Sequence, residues 1–180
     1  MNILDTRFDD VKILEPQIFE DERGFFQENW HQNKFKKNIA DVDFVQDNYS
    51  RSIKGTLRGL HFQQQQPQGK LIQVLAGKIF DVVVDVRSDS ATYGQWFGAT
   101  LSAENYRQLW VPAGFAHGFY VLSNTVDCLY KCTNFYHPES EVCIKWDDPE
   151  LAIDWPLSQA PLLSDKDARG INFSSLFVAV

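Results

Sequence analysis

The chain has 180 residues, 44% of them apolar, enough to fill one hydrophobic core and too few for two independent domains, so residues 1–180 read as a single domain. A formal charge of −7 and a pI near 5.0 argue against a polynucleotide binder, which needs a broad basic field to displace counterions from many phosphates. No apolar run approaches the roughly 20 residues that span a bilayer, so a soluble, cytoplasmic protein with no membrane or nucleic-acid partner is expected.

Near the amino end, Phe26, Glu28 and Trp30 share one face if the chain there is extended, and Trp30–Asn38 predicts a short helix. Short stretches rich in β-branched and aromatic residues follow: Val42–Tyr49, Leu57–Gln63, Lys70–Leu75, Lys78–Arg87, Trp96–Leu101, Gln108–Val111, Gly118–Leu122 and Asp127–Asn134. Gly55, Pro67-Gln68-Gly69, Gly77, Gly94, Pro112 and Gly114 punctuate them, and the glutamines 63–66 read as a solvated loop. Ser164, with Asp167 three residues on, has the pattern of a helix N-cap. Many short, even strands predict an all-β sandwich, jelly roll or barrel with a few short peripheral helices.

Period-two alternation then sorts the side chains. Cys128, Tyr130 and Cys132 share one face, and two small thiols leave space around the phenol. Phe44, Gln46 and Asn48 share another face. Polar groups interleaved with aromatics on an inward face predict a ligand cavity; on an outward face they are solvated, and alternation alone leaves both readings open.

Cys128, Cys132 and Cys143 are odd in number, which argues against a disulfide framework and for reduced thiols. A zinc site from these three with His137 is set aside, because the spacing matches no usual zinc motif.

The chemistry centres on His61, in Gly55-Thr56-Leu57-Arg58-Gly59-Leu60-His61-Phe62-Gln63. Together with Lys70, Tyr130 and Asp167 it supplies an imidazole, a cation, a phenol and a carboxylate, the parts needed to take a proton from one face of a carbon and return one to the other. Each has a bland alternative: a hydrogen-bonded strand histidine, a turn lysine, a core aromatic and a helix cap. Arg23, Arg51, Arg58, Lys70 and Arg169 are candidates for a small anionic ligand.

Gly55–Gly77 followed by Pro112-Ala113-Gly114-Phe115-Ala116-His117 resembles the two-part layout of the cupin jelly rolls. The metal-binding members carry a His-x-His pair with a Glu, and then a further His. Here Gln63 stands for the second His and no Glu lies before Gly77, which leaves His61 and His117 as a poor divalent site. The resemblance becomes specific over residues 21–167. Asp21-Glu22-Arg23-Gly24-Phe25-Phe26, Gln46-Asp47-Asn48-Tyr49-Ser50, Leu57–Gln63, Gly69-Lys70-Leu71, Val111–Phe119, Leu129-Tyr130-Lys131, Trp146–Glu150, Ile153-Asp154-Trp155-Pro156 and Leu163–Asp167 are similar to the dTDP-4-dehydrorhamnose 3,5-epimerases.

That resemblance implies a cupin jelly-roll β-barrel in which His61, paired with Asp167, is the general base, Tyr130 is the general acid and Lys70 stabilises an enolate. It also implies that Arg23, Glu28, Gln46, Asp47, Asn48, Arg58, His117, Glu141 and Lys166 bind a dTDP-sugar, that Tyr136 stacks on its thymine, and that neither metal nor cofactor is used. Cys132 departs from an expected Thr. The reaction implied is inversion of C3 and C5 of dTDP-4-dehydro-6-deoxy-D-glucose. Rival readings are an epimerase of one carbon, a ketoisomerase, a non-catalytic nucleotide-sugar-binding cupin and a metal-dependent cupin enzyme. A homodimer with sheet extended between subunits is also implied, and would give Met1–Pro16 a place that a self-contained barrel lacks. One conflict stands: strict alternation puts Arg58 and His61 on opposite faces, unless Gly59 permits a bulge or Arg58 serves a neighbouring cavity.

Overall fold

In a computed structural model that describes residues 1–176, the chain forms thirteen strands and two short α-helices. In chain order these are β1 (Asn2–Asp5), β2 (Lys12–Glu15), β3 (Ile18–Asp21), β4 (Gly24–Gln27), α1 (Gln32–Asn38), β5 (Gln46–Ile53), β6 (Leu57–Gln63), β7 (Lys70–Ala76), β8 (Lys78–Asp85), β9 (Trp96–Ser102), β10 (Gln108–Val111), β11 (Phe115–Val121), β12 (Thr125–Cys132), β13 (Glu141–Cys143) and α2 (Asp165–Ala168). A six-stranded antiparallel sheet, ordered β1-β2-β10-β7-β12-β5, faces a five-stranded one, ordered β13-β6-β11-β8-β9. The β3–β4 hairpin stands apart as a two-stranded ribbon. The all-β jelly roll expected from the sequence is the observed architecture.

The core explains why several strands are apolar on both faces. Between the sheets, Ile72, Val74, Leu109 and Val126 of the larger sheet meet Ile79, Val83, Leu101 and Phe119 of the smaller. Behind the smaller sheet, Val82, Val84 and Tyr120 are covered by Leu151, Trp155 and Phe173 from the C-terminal loops. Behind the larger sheet, Phe35 of α1 packs edge-to-face on Trp110 at 5.2 Å. Burying one Leu, Val or Phe side chain contributes about 1.5–3 kcal/mol, so each cover layer anchors the loops that carry it.

The strand expected over Val42–Tyr49 instead begins at Gln46 and runs to Ile53. Phe44 lies before it and packs outward on Trp30, Phe35 and Trp110, so it does not share a face with Gln46 and Asn48. Met1–Pro16 also departs from expectation. Its β1 and β2 pair with each other, and β2 pairs with β10 of the same chain, because Ile13 and Leu14 find buried positions there. Among the described residues, no helix is long and apolar enough to cross a membrane.

Candidate active site

A cavity of about 340 Å³ opens between the two sheets. Gln46 and Asn48 of β5, Lys70 of β7 and Tyr130 of β12 line it from the larger sheet, and Arg58 and His61 of β6 and His117 of β11 from the smaller. Tyr136, Glu141, Lys166 and Asp167 close one side. Gln46 and Asn48 therefore face inward. The alternation of β12 holds as well: Cys128 and Cys132 are buried on the face that turns the Tyr130 phenol into the cavity.

A bulge resolves the conflict over Arg58. His61 lies opposite His117, yet Arg58 lies opposite Phe119, so three residue steps on β6 span two on β11. The extra residue brings Arg58 and His61 to the same cavity. Gly59 permits it with a φ of +116°, and a Cβ there would lie 2.6 Å from Gly118 Cα, so the two backbones meet where no side chain fits.

His61 Nε2 lies 2.7 Å from Asp167 Oδ1. That oxygen also accepts the Gly59 amide at 3.1 Å, and the Ser164 hydroxyl donates to Oδ2 at 2.6 Å. Ser164 is the α2 N-cap expected from the sequence, accepting the Asp167 amide, so one cap residue fixes both the backbone and the carboxylate. Burial works to raise the Asp167 pKa, but the hydrogen bonds from His61, Ser164 and Gly59 outweigh it and bring the group down to about 2. An ionised Asp167 requires the imidazole proton on Nε2, which leaves Nδ1 with the basic lone pair. Nδ1 has no hydrogen-bond partner among the described residues.

Across the cavity, the Lys70 ammonium has no ion-pair partner among the described residues, and burial pulls its pKa down against the attraction of Glu141 and Asp81. Arg58 is likewise free of carboxylates, its Nε donating to Ser52 Oγ at 3.0 Å. The cavity of a chain with net charge −7 thus holds two uncompensated cations. Burial raises the Tyr130 pKa, keeping the phenol protonated. At the rim, Tyr136 donates to Glu141 at 2.9 Å and Lys166 pairs with Glu141 at 2.9 Å. Gln63 is structural: its amide donates to the Gln66 and Phe135 carbonyls and accepts the His137 amide, tying down the rim loop.

Three expected site residues lie elsewhere in this chain. Arg23, at the tip of the β3–β4 hairpin, pairs with Asp21 at 2.6 Å and is largely exposed, because a two-residue turn holds the partners side by side. Glu28 pairs with Lys34 and lines a hollow of about 850 Å³ outside the sheets. That hollow is larger, but its carboxylate and ammonium already neutralise one another, and none of His61, Lys70, Tyr130 and Asp167 lines it. Asp47 pairs with Lys131, its alternating position on β5 turning it away from Gln46 and Asn48. Arg51 is held by Asp127, and Arg169 donates to the Asp165 carbonyl. Cys128, Cys132, His137 and Cys143 do not gather into a four-ligand set. Sequence reasoning missed Asp81, fully buried on β8 with its carboxylate 2.9 Å from His117 Nε2. Its signal was an acid inside the apolar run Lys78–Val84, since a buried charge needs a partner.

The family model described as dTDP-4-dehydrorhamnose 3,5-epimerase matches residues 5–175. A Pseudomonas aeruginosa protein of that name is 57% identical over 166 residues, covering 92% of each chain. A Neisseria gonorrhoeae protein of the same name is 56% identical over 94% of this chain, which spans about half, 52%, of that relative's length. A Legionella pneumophila dTDP-6-deoxy-D-glucose-3,5-epimerase, solved in complex with dTDP-4-keto-L-rhamnose, superposes with a TM-score of 0.96 at 56% identity, covering 97% of this chain and 94% of its own. With the fold and nearly the whole length in agreement, the chain belongs to the dTDP-4-dehydrorhamnose 3,5-epimerase family.

Proposed function

We propose that the protein inverts C3 and C5 of dTDP-4-dehydro-6-deoxy-D-glucose to give dTDP-4-dehydro-L-rhamnose, with no redox cofactor, since removing and returning a proton leaves the oxidation state unchanged. The observation that carries this reading is the division of labour between facing sheets: the Asp167-held His61 on one side, the Tyr130 phenol and unpaired Lys70 on the other. The 4-keto group acidifies the hydrogens at C3 and C5, but an enolate still has to be stabilised as it forms, and a partly desolvated ammonium at Lys70 suits that task. His61 Nδ1 removes the proton, ionised Asp167 stabilises the imidazolium, and Tyr130 delivers a proton from the opposite face. Arg58 and Lys166 supply charge for the diphosphate, Gln46, Asn48, His117 and Glu141 orient the nucleotide sugar, and the Tyr136 ring stacks on its base.

The protein acts as a cytoplasmic homodimer in this reading; three free thiols suit a reducing compartment. The β3–β4 hairpin exposes Phe19, Phe25 and Phe26, and we infer that its Arg23 and the following Glu28, which lie outside their own chain's cavity, serve the partner's. The test is incubation with the 4-keto sugar in D₂O, followed by NMR. Deuterium at both C3 and C5 with an L-sugar product is expected, and His61→Ala removes both exchanges. Binding of the nucleotide sugar without exchange at either carbon would overturn the proposal.

A further inference from the structure

A third side chain stands beside the His61–Asp167 pair and takes no part in the proton transfers. Cys143 of β13 is the register partner of His61 on β6, and its Sγ lies 3.9 Å from Asp167 Oδ1. One donor atom each from His61, Cys143 and Asp167 lies within 4.8 Å of the others: a nitrogen, a sulfur and an oxygen drawn from β6, β13 and α2. Cys143 is not disulfide-bonded, and His61 and Asp167 open onto the cavity, which gives an ion a path inward.

We propose that this triad is an inhibitory site for a thiophilic divalent cation, Zn²⁺ above all, which binds His61 Nε2, Cys143 Sγ and Asp167 Oδ1 and switches off the base. The donor set favours such an ion: thiolate and imidazole select zinc over magnesium or calcium, which take oxygen ligands. Tetrahedral bonds of about 2.0–2.3 Å put neighbouring donors roughly 3.3–3.7 Å apart. The sulfur–oxygen pair at 3.9 Å is near that spacing, and the nitrogen–oxygen pair at 2.7 Å opens by roughly 0.6 Å when the ion replaces the shared proton. Three protein ligands leave a fourth position for water from the cavity.

The proton balance explains the inhibition. The Cys143 thiol gives up its proton to solvent as sulfur binds the metal, so one proton is released per ion. The imidazole cannot ligate through a protonated Nε2, so its proton moves to Nδ1. The nitrogen that would take the substrate proton then carries one, and the carboxylate that stabilised the imidazolium is committed to the ion.

The inference rests on the proposed role of His61, so the decisive measurements read metal without turnover. Zn²⁺ affinity is measured by competition with a chromophoric chelator, and Co²⁺ is used as a spectroscopic substitute. One site per chain is expected, with thiolate-to-cobalt charge-transfer absorption and d–d bands of tetrahedral intensity. Cys143→Ser abolishes the charge-transfer band and weakens zinc by well over the roughly 10–100-fold typical of outer-shell changes. In the turnover assay Cys143→Ser keeps basal epimerisation and loses zinc inhibition, chelator restores the inhibited wild type, and Mg²⁺ has no effect. Zinc affinity unchanged in Cys143→Ser, or a cobalt complex without thiolate absorption, would overturn the site. If the metal signatures appear in a protein that does not exchange C3 or C5, the site stands and the epimerase reading falls.

Discussion

At the scale of residues, acid and base are separated by environment. Tyr130 sits in a recess flanked by buried thiols, where burial keeps its proton on, while Asp167 is ionised against burial by three donors. Tyr130→Phe keeps the ring and removes the proton. The enolate still forms, and His61, after exchanging its proton with solvent, returns a deuteron to the face the proton left, so deuterium wash-in persists while inverted product falls by roughly 10²–10⁴-fold; near-normal inversion would assign the donor role elsewhere. Asp167 also links the site to stability. Its folded pKa of about 2 lies below the ordinary 3.8, so its contribution is present above pH 4 and is lost as pH falls toward 2. The shift corresponds to about 2 kcal/mol. Unfolding free energy followed by denaturant from pH 7 to 2 therefore declines more steeply for wild type than for Asp167→Asn; parallel curves would mean that the carboxylate is not stabilised.

At the scale of elements, the β6 bulge decides which side chains meet. Gly59→Ala forces a Cβ against Gly118 at a φ that L-residues rarely adopt. We expect a loss of roughly 1–3 kcal/mol, read as a lowered unfolding midpoint, with reduced kcat/KM because Arg58 and His61 no longer share a cavity. A stable variant of full activity would show that the bulge is dispensable. The strands around this point were legible in the sequence: β6 and β10 fall where alternation and turn residues put them, and Ser164 caps α2 as its spacing predicts. The bulge at Gly59 was legible only as one of two ways out of a conflict, because period-two counting has no term for an inserted residue. The N-terminal hairpins were not legible either, since their strands are only four residues long and β2 is held in the sheet by β10, more than ninety residues away in sequence.

At the scale of the molecule, the cavity is assembled from residues 46 to 167, and only the fold brings them together. Asp81 escaped the sequence reading for that reason: its partner His117 is 36 residues away on the neighbouring strand. Arg23 and Glu28 matched the family by motif but do not reach their own cavity, which motivates a complementation experiment. Arg23→Ala and His61→Ala proteins, each of low activity, are mixed and allowed to exchange subunits. If Arg23 serves the partner's cavity, each mixed dimer holds one intact site, so activity rises to about a quarter of wild type. No gain on mixing, once exchange is verified, would place Arg23 outside catalysis or in its own chain's site.

The amide of Gln63 has one further consequence. Because it fastens the backbones of residues 66, 135 and 137, the rim that carries Tyr136 hangs from the position where a metal-binding cupin keeps an imidazole. Installing an imidazole at that position is therefore not a single step. Gln63→His would unmoor the rim before it gained a ligand, an imbalance visible as faster amide hydrogen exchange around residues 135–137 with no new metal affinity.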